Sequence, residues 1–333
     1  ALAEQGSRGV QLFFVVSALT LCLSWSQRKD GLQAFYLRRL FRIAPMYWLA
    51  MAFFLALQGF GPNPYAAEGL HARHLLMAAS FTHGLEPDTI NSVVPGSWSI
   101  ADEVAFYLIF PALFALFDRL SLRGCLIATI VLVMVCSVAT TLLGAYVGTL
   151  PGGERPVWSV YRFLWFPQQL PAFLMGMLVF KFADNGHCLG PKTAAISLAG
   201  AIALFVVIAY APDGVVNLLG LVTWYGIAFA LAALALMNSS PRAIVNPATV
   251  WIGRVSYSAY FIHFALIGLL PSPIHFTGST VADWLILFAA LATASVAIAT
   301  VTYRLIEQPA ITAGRQLIRA LERKRTAAAL SPV

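Results

Sequence analysis

Charge is scarce in this chain. Only 11% of its 333 residues are Asp, Glu, Lys or Arg, where a soluble globular domain carries about 25%. Hydrophobic residues make up 59%, and the mean hydropathy is +0.78. That balance excludes a water-soluble enzyme or binding module and puts the chain in the membrane class. Acidic residues are the scarcer sign, 14 against 21 Lys and Arg, for a net charge of +7. A basic chain can bind nucleic acid, but here the basic residues are scattered between apolar runs, a pattern that sets membrane topology. No nucleic-acid partner is expected. Cysteine is rare as well. Cys22, Cys125, Cys136 and Cys188 lack metal-ligand spacing, which argues against a disulfide framework and leaves them as small apolar packing residues. His71, His74 and His83 gather near one short stretch, yet no Cys or acidic partner completes a ligand set, so no metal is expected. Glycine-rich phosphate loops, nucleophile elbows and internal repeats are absent, and "ALAEQGSRG" lacks the features of a signal peptide.

Long apolar runs are what the chain has instead. A bilayer span takes roughly 20 mostly apolar residues, and segments 9–26, 43–60, 98–118, 124–147, 160–181, 193–211, 215–237, 249–270 and 282–303 meet that measure. The expected fold is therefore an all-α, polytopic membrane bundle of nine helices. One membrane domain covers 1–308, followed by a basic tail at 309–333. The apolar stretch 75–84 is too short to cross. Turn signals "GFGPNP", "GTLPGG", "APDG", "NSSPR" and "PSP" separate the runs. With the loop 27–42 on the cytoplasmic side and the spans alternating, that side gathers Arg28, Lys29, Arg38, Arg39, Arg42, Arg119, Arg123, Lys181, Lys192, Arg242, Arg304 and the tail. Only Arg8, Arg73, Arg155 and Arg162 face outward. This positive-inside asymmetry places the C-terminus in the cytoplasm. The same count puts Ala1 outside, which calls for a span ahead of it. In the tail, Leu317, Ile318 and Leu321 recur at helical spacing among basic residues, as in a helix resting on an anionic leaflet; a solvated tail is the alternative.

Three constellations carry chemistry. In "FYLRRLFRIAPMYW" Arg38, Arg39 and Arg42 converge on one helical surface, with Pro45 at the first turn of the span that follows. They are either anchors of a cytoplasmic helix end or an anion site, since the planar guanidinium fork suits phosphate. In "PGSWSIADEVAFYLIFP" Asp102 and Glu103 fall inside a span, and Ser99, Glu103 and Tyr107 share one face. A carboxylate at mid-bilayer costs roughly 2.5–3.5 kcal/mol on insertion scales, so it must face protein or water, as helix glue or as a site. In "WIGRVSYSAYFIHF" Ser256, Tyr260 and His263 share a face, either packed or lining a polar cavity. "YRLIEQP" sets Arg304 and Glu307 at i,i+3, spaced for an ion pair that closes the last span.

These strings, in this order, resemble the acyltransferase family 3 membrane proteins, which O-acylate extracytoplasmic sugars. "GVQLFFVVSALTL" is similar to that family's Gly-x-x-Leu-Phe-Phe-Val-x-Ser-Gly-Phe helix, with Ala18 and Leu19 in place of Gly-Phe. "FYLRRLFRIAPMYW" resembles its Arg-Arg-x-x-Arg-Ile-x-Pro-x-Tyr-Trp string, "SWSIADEVAFYLIFP" its Ser-Trp-Ser-x-x-x-Glu-x-x-Phe-Tyr string, and "IGRVSYSAYFIHF" and "YRLIEQP" its closing pair. The resemblance implies acyl transfer, from cytosolic acetyl-CoA or another acyl-CoA to a hydroxyl of a polysaccharide or a glycolipid such as lipopolysaccharide, at the cytoplasmic membrane. It implies that Arg38, Arg39 and Arg42 bind the CoA phosphates, that Glu103 serves catalysis, and that Ser97, Trp98, Ser99, Tyr107, Tyr260 and His263 bind the acceptor. The family's catalytic base is a His on a helix ahead of the one beginning at Gly9. That helix would make one span more than the nine, and without it the chain is expected to be inactive. A proton-coupled transporter or exporter of a lipid-linked sugar, and a non-catalytic family member, remain the alternatives.

Overall fold

The computed structural model describes residues 8–28, 31–210, 220–239, 241–270 and 280–330. Lys29, the turns "APDG" and "PSP", part of "NSSPR" and the first residues of the expected 215–237 span lie outside them. The described residues form helices α1 (Gly9–Ser26), α2 (Leu32–Gln58), α3 (Ala72–Ala79), α4 (Trp98–Arg119), α5 (Leu122–Val147), α6 (Pro156–Leu164), α7 (Phe166–Asp184), α8 (Pro191–Tyr210), α9 (Leu221–Ser239), α10 (Pro247–Leu269), α11 (Thr280–Thr302) and α12 (Gln308–Leu330). A short 3₁₀ turn occupies His83–Leu85, and a π turn, Tyr303–Glu307, joins α11 to α12. Helices are the form in which an apolar segment can satisfy its own backbone inside lipid. Among the described residues, nine helical stretches are long and apolar enough to cross a membrane, as the apolar runs predict.

Local chemistry sets several boundaries. Ser121 caps α5 by accepting from the Gly124 amide at 3.2 Å. Asn246 caps α10, accepting from the amides of Ala248 and Thr249 at 3.1 Å, with Pro247 in the first turn. The expected 160–181 span is two helices, α6 and α7. They break at Trp165, whose backbone is extended (φ −70°, ψ 151°) ahead of Pro167. Segment 75–84 does not cross; it forms α3 and the turn that follows.

α2 differs from the expectation in two ways. It starts at Leu32, so the three arginines lie within the spanning helix rather than ahead of it, and Pro45 is interior rather than in its first turn. An interior proline leaves a backbone acceptor free. Near that break the Tyr257 hydroxyl donates to the Ile43 carbonyl at 2.9 Å.

The core forms where α1, α4 and α7 meet. Phe14 stacks on Phe173 with centroids 4.3 Å apart, and Phe173 on Phe106 at 4.2 Å. Gly176 of α7 lies directly on the Val15 carbonyl of α1; any Cβ there would strike it. Outward faces of α5, α8 and α11 keep large apolar residues exposed, Ile196 and Val281 among them, as lipid-facing helices do.

The described residues of the tail form a helix against the bundle. α12 runs antiparallel to the first turns of α2. Gly314 abuts the Phe41 ring, Ile318 is buried, and Arg325 Nη2 donates to Gln33 Oε1 at 2.7 Å. Packing takes Ile318 but leaves Leu317 40% exposed. Cys22, Cys125 and Cys136 pack in the interior as expected. Cys188 does not; it is exposed between α7 and α8.

Gly176→Leu should therefore prevent α1 and α7 from closing. Over-packing of this kind costs roughly 1–3 kcal/mol or more, read as a lower melting temperature and less monodisperse protein in detergent. Gly200→Leu, on an exposed face with open space around it, should leave both unchanged.

Candidate functional site

Two ends of the bundle matter: the loop end, covered by residues 59–97, and the arginine end, where α2 begins. At the loop end Asn63 organises the covering segment, its Oδ1 accepting from the amides of Tyr65 and Ala66 and its Nδ2 donating to the Ser92 carbonyl at 3.1 Å. Ion pairs Arg73–Glu86 at 2.6 Å and Arg155–Asp88 at 3.1 Å tie this segment to α3 and α6. His74 Nδ1 accepts from the His71 amide at 3.0 Å and so closes the start of α3, a capping role. His83 is fully buried, stacked on Tyr47, with Nε2 donating to the Ser97 carbonyl at 3.0 Å.

Gly96 starts the approach to α4. Its φ of +80° suits glycine, and a Cβ would collide with Tyr260 and Phe264 of α10. The Tyr260 hydroxyl donates to the Gly96 carbonyl at 2.9 Å, and Ser99 Oγ lies 3.1 Å from that hydroxyl. A cavity of about 370 Å³ opens beside this contact. Its polar lining comes from Ser99, Ser256, Tyr257, Tyr260 and His263, and the Trp98 ring forms part of its wall. Trp98 meets Phe14 edge to face, which sets its plane. His263 is held through Nδ1 by the Ala259 carbonyl at 3.3 Å.

Deeper lies the carboxylate. Glu103 is 3% exposed. Its Oε1 accepts from Ser17 of α1 at 3.0 Å and from Tyr107 one turn along α4. Oε2 is buried with no hydrogen-bond partner among the described residues. Arg39 sits with its guanidinium 5.7 Å from the Tyr107 ring centroid, and the charges of both Arg42 and Arg39 act on Glu103. Tyr107 is the tenth of the 22 residues of α4, so Arg39 reaches about halfway along that helix. Asp102, on the neighbouring face, is also buried, with Oδ2 unpartnered among the described residues.

The expected site residues therefore fall into two connected groups. Trp98, Ser99, Tyr260 and His263 line the cavity, while Tyr107 joins Glu103, Arg39 and Arg42. Ser97 belongs to neither: it is buried, its carbonyl engaged by His83 and its hydroxyl 3.5 Å from the Ile90 carbonyl. Arg38 is half-buried on the same helical turn as Arg39. Tyr257 connects the groups; it borders the cavity, and its hydroxyl feels the charge of Glu103 and Glu307.

Glu307 is not the partner of Arg304 that its spacing suggests. The π turn rotates it inward, where it is buried and accepts from Ser258, while Arg304 lies over the Trp251 ring at 5.6 Å. Arg42 thus acts on two carboxylates, Glu103 and Glu307. Ser17, Tyr257 and Glu307 are the participants that spacing along single helices does not reveal. Each sits inside a motif already noted, and its partner lies on another helix.

Comparison with known proteins agrees with the resemblance drawn from the motifs. A family model described as an acyltransferase domain, of the acyltransferase 3 type, matches residues 5–304. The chain is 26% identical over 276 residues to the acyltransferase MdmB of Streptomyces mycarofaciens, covering 79% of this chain and 68% of that protein. It is 25% identical over 282 residues to the exopolysaccharide production protein ExoZ of Rhizobium meliloti (strain 1021), covering 80% and 78%. No solved structure matches the chain.

Burial holds the His83 ring below its ordinary value near 6.5. The unfolded ring therefore takes up a proton first. The stability that the neutral ring contributes is present above about pH 6.5 and is lost as pH falls toward the lower folded value. Melting temperature in detergent should drop between pH 7.5 and 5.5, and His83→Gln should flatten part of that slope.

Proposed function

Because the chain belongs to the acyltransferase 3 family, we propose that it moves an acyl group, acetyl in the simplest case, from a cytosolic acyl-CoA to a hydroxyl of an extracytoplasmic glycan. The arginine end then faces the cytoplasm with α12, and the loop end faces outward across the cytoplasmic membrane. The observation that carries this reading is the Arg39 guanidinium beside Tyr107, whose hydroxyl holds the buried Glu103. A cationic surface fit for phosphates and a carboxylate fit to handle a hydroxyl meet within one protein interior, so both substrates can be served from opposite sides.

The donor's phosphates pair with Arg38, Arg39 and Arg42, whose forks match phosphate oxygens. The acceptor sugar enters from the loop end, its faces against Trp98 and Tyr260 and its hydroxyls toward Ser99 and His263. Similarity to an exopolysaccharide production protein supports a polysaccharide or glycolipid acceptor. The sugar oxygen attacks the thioester carbon; the new C–O bond forms, the C–S bond breaks, and its electron pair leaves on the CoA sulfur. The hydroxyl proton ends on that sulfur, giving an ester and free CoA thiol. Oε2 of Glu103 accepts from the attacking hydroxyl and aims it, while Ser17 and Tyr107 hold the carboxylate still. The family resemblance assigns proton removal to a histidine outside the motifs matched in this chain.

Membrane vesicles containing the full gene product, given radiolabelled acetyl-CoA, should carry label into glycan. Sugar uptake without modification would overturn the reading in favour of transport, and neither event would favour a scaffold. Arg42→Ala should abolish transfer with normal expression and insertion; full activity would remove the donor-site assignment. Glu103→Gln, which keeps the shape and the Ser17 contact, should lower kcat by about 100-fold or more.

A further inference from the structure

Near the start of α10 one indole holds two cations. The Arg254 guanidinium lies 5.6 Å from the Trp251 ring centroid, and that of Arg304, from the π turn, lies at the same distance of 5.6 Å. The indole itself is fixed from α11: its Nε1 donates to Thr300 Oγ1 at 3.0 Å, and the Tyr303 ring meets it edge to face. Both arginines are exposed, and neither has a hydrogen bond or ion pair among the described residues. The ring attracts each cation, but the two positive charges repel one another. An anion at the rim of the ring removes that repulsion, and the planar guanidinium forks suit a phosphate.

The surroundings decide which phosphate. Ile298, Val301 and Leu305 follow at i, i+3 and i+7 along α11 and the π turn, and all three are exposed. Ile252, beside Trp251, is exposed as well. A flank that is apolar along the spanning helix and doubly cationic at its end has the polarity of a phospholipid, with chains along the stripe and phosphate at the guanidiniums. Tryptophan favours the same headgroup level. A soluble phosphate compound would leave the apolar stripe unused. A zwitterionic headgroup would bring an ammonium up to two guanidiniums, so a headgroup of net negative charge fits better.

We propose that Trp251, Arg254 and Arg304 form a binding site for the phosphate of an anionic phospholipid. The site uses none of the arginines of α2, and it stands whether or not the chain transfers acyl groups. A lipid held there joins α10 to the π turn that carries Glu307, and so braces the closing end of the bundle.

The full gene product in detergent is titrated with phosphatidylglycerol or with phosphatidylethanolamine of the same chains, and bound lipid is counted by native mass spectrometry. Phosphatidylglycerol should be retained in preference, and Arg254→Gln and Arg304→Gln should each cut that preference about fivefold. Equal retention of the two lipids by the unaltered protein would overturn the proposal. A control protein with Arg119→Gln and Arg123→Gln loses the same charge from two other exposed arginines, and its preference should stay nearly unchanged. An equal loss in the control and in the Arg254→Gln, Arg304→Gln double variant would mean general attraction to a basic surface, and would overturn a built site. Coenzyme A supplies the other arm. Its displacement of phosphatidylglycerol from the unaltered protein, but not from the double variant, would assign these arginines to a soluble phosphate and end the lipid reading. Melting temperature gives a second readout. Added phosphatidylglycerol should raise it for the unaltered protein and the control, and much less for the double variant; the same rise in all three would count against the site.

Discussion

A buried carboxylate in a membrane helix must be neutralised or paired, and Glu103 is the point from which that requirement spreads through this fold. An unpaired carboxylate inside the protein would cost several kcal/mol. Ser17 brings α1 to it, Tyr107 closes it from its own helix, and Arg39 and Arg42 bring α2 within electrostatic range. Three helices are thereby fixed around one functional group. α7 and its phenylalanine stack then seal the side away from lipid.

Arg42 extends the arrangement to a fourth element. Glu307, in the π turn and held by Ser258 of α10, is close enough to feel the same charge. π turns insert an extra residue and re-aim side chains, and they recur at functional sites. Here the re-aiming turns a presumed helix-end ion pair into part of an interior network. α12 continues from that turn onto the first turns of α2, so the helix bearing the arginines is braced at its start by Gly314, Ile318 and Arg325.

The helices were legible in advance because the bilayer imposes a length that composition alone reveals. So was part of the polar interior: Trp98, Ser99, Tyr260 and His263, which line the cavity, and Glu103 and Tyr107, which hydrogen-bond, sit in short strings whose spacing lines them up on helix faces. Two readings did not survive for a common reason. Pro45 as a helix start and Arg304 with Glu307 as a pair both assumed that local spacing decides the partner. In each case a neighbouring helix supplied a better one: Tyr257 near the Pro45 break and Ser258 for Glu307.

By itself, the sequence determined that this is an all-α membrane protein of the acyltransferase 3 family, and which residue types its site draws on. Hydropathy and motif spacing are one-dimensional properties, and they suffice for that. Only the tertiary structure decided that the arginines and the glutamate belong to one interior. Along the chain they are separated by the rest of α2 and the segment 59–97, with one group read at the inner boundary and the other near the outer. α2 starts deep enough beside α4 for Arg39 to reach Tyr107. Depth and lateral pairing depend on which helices pack together, and no periodicity within a single helix records that.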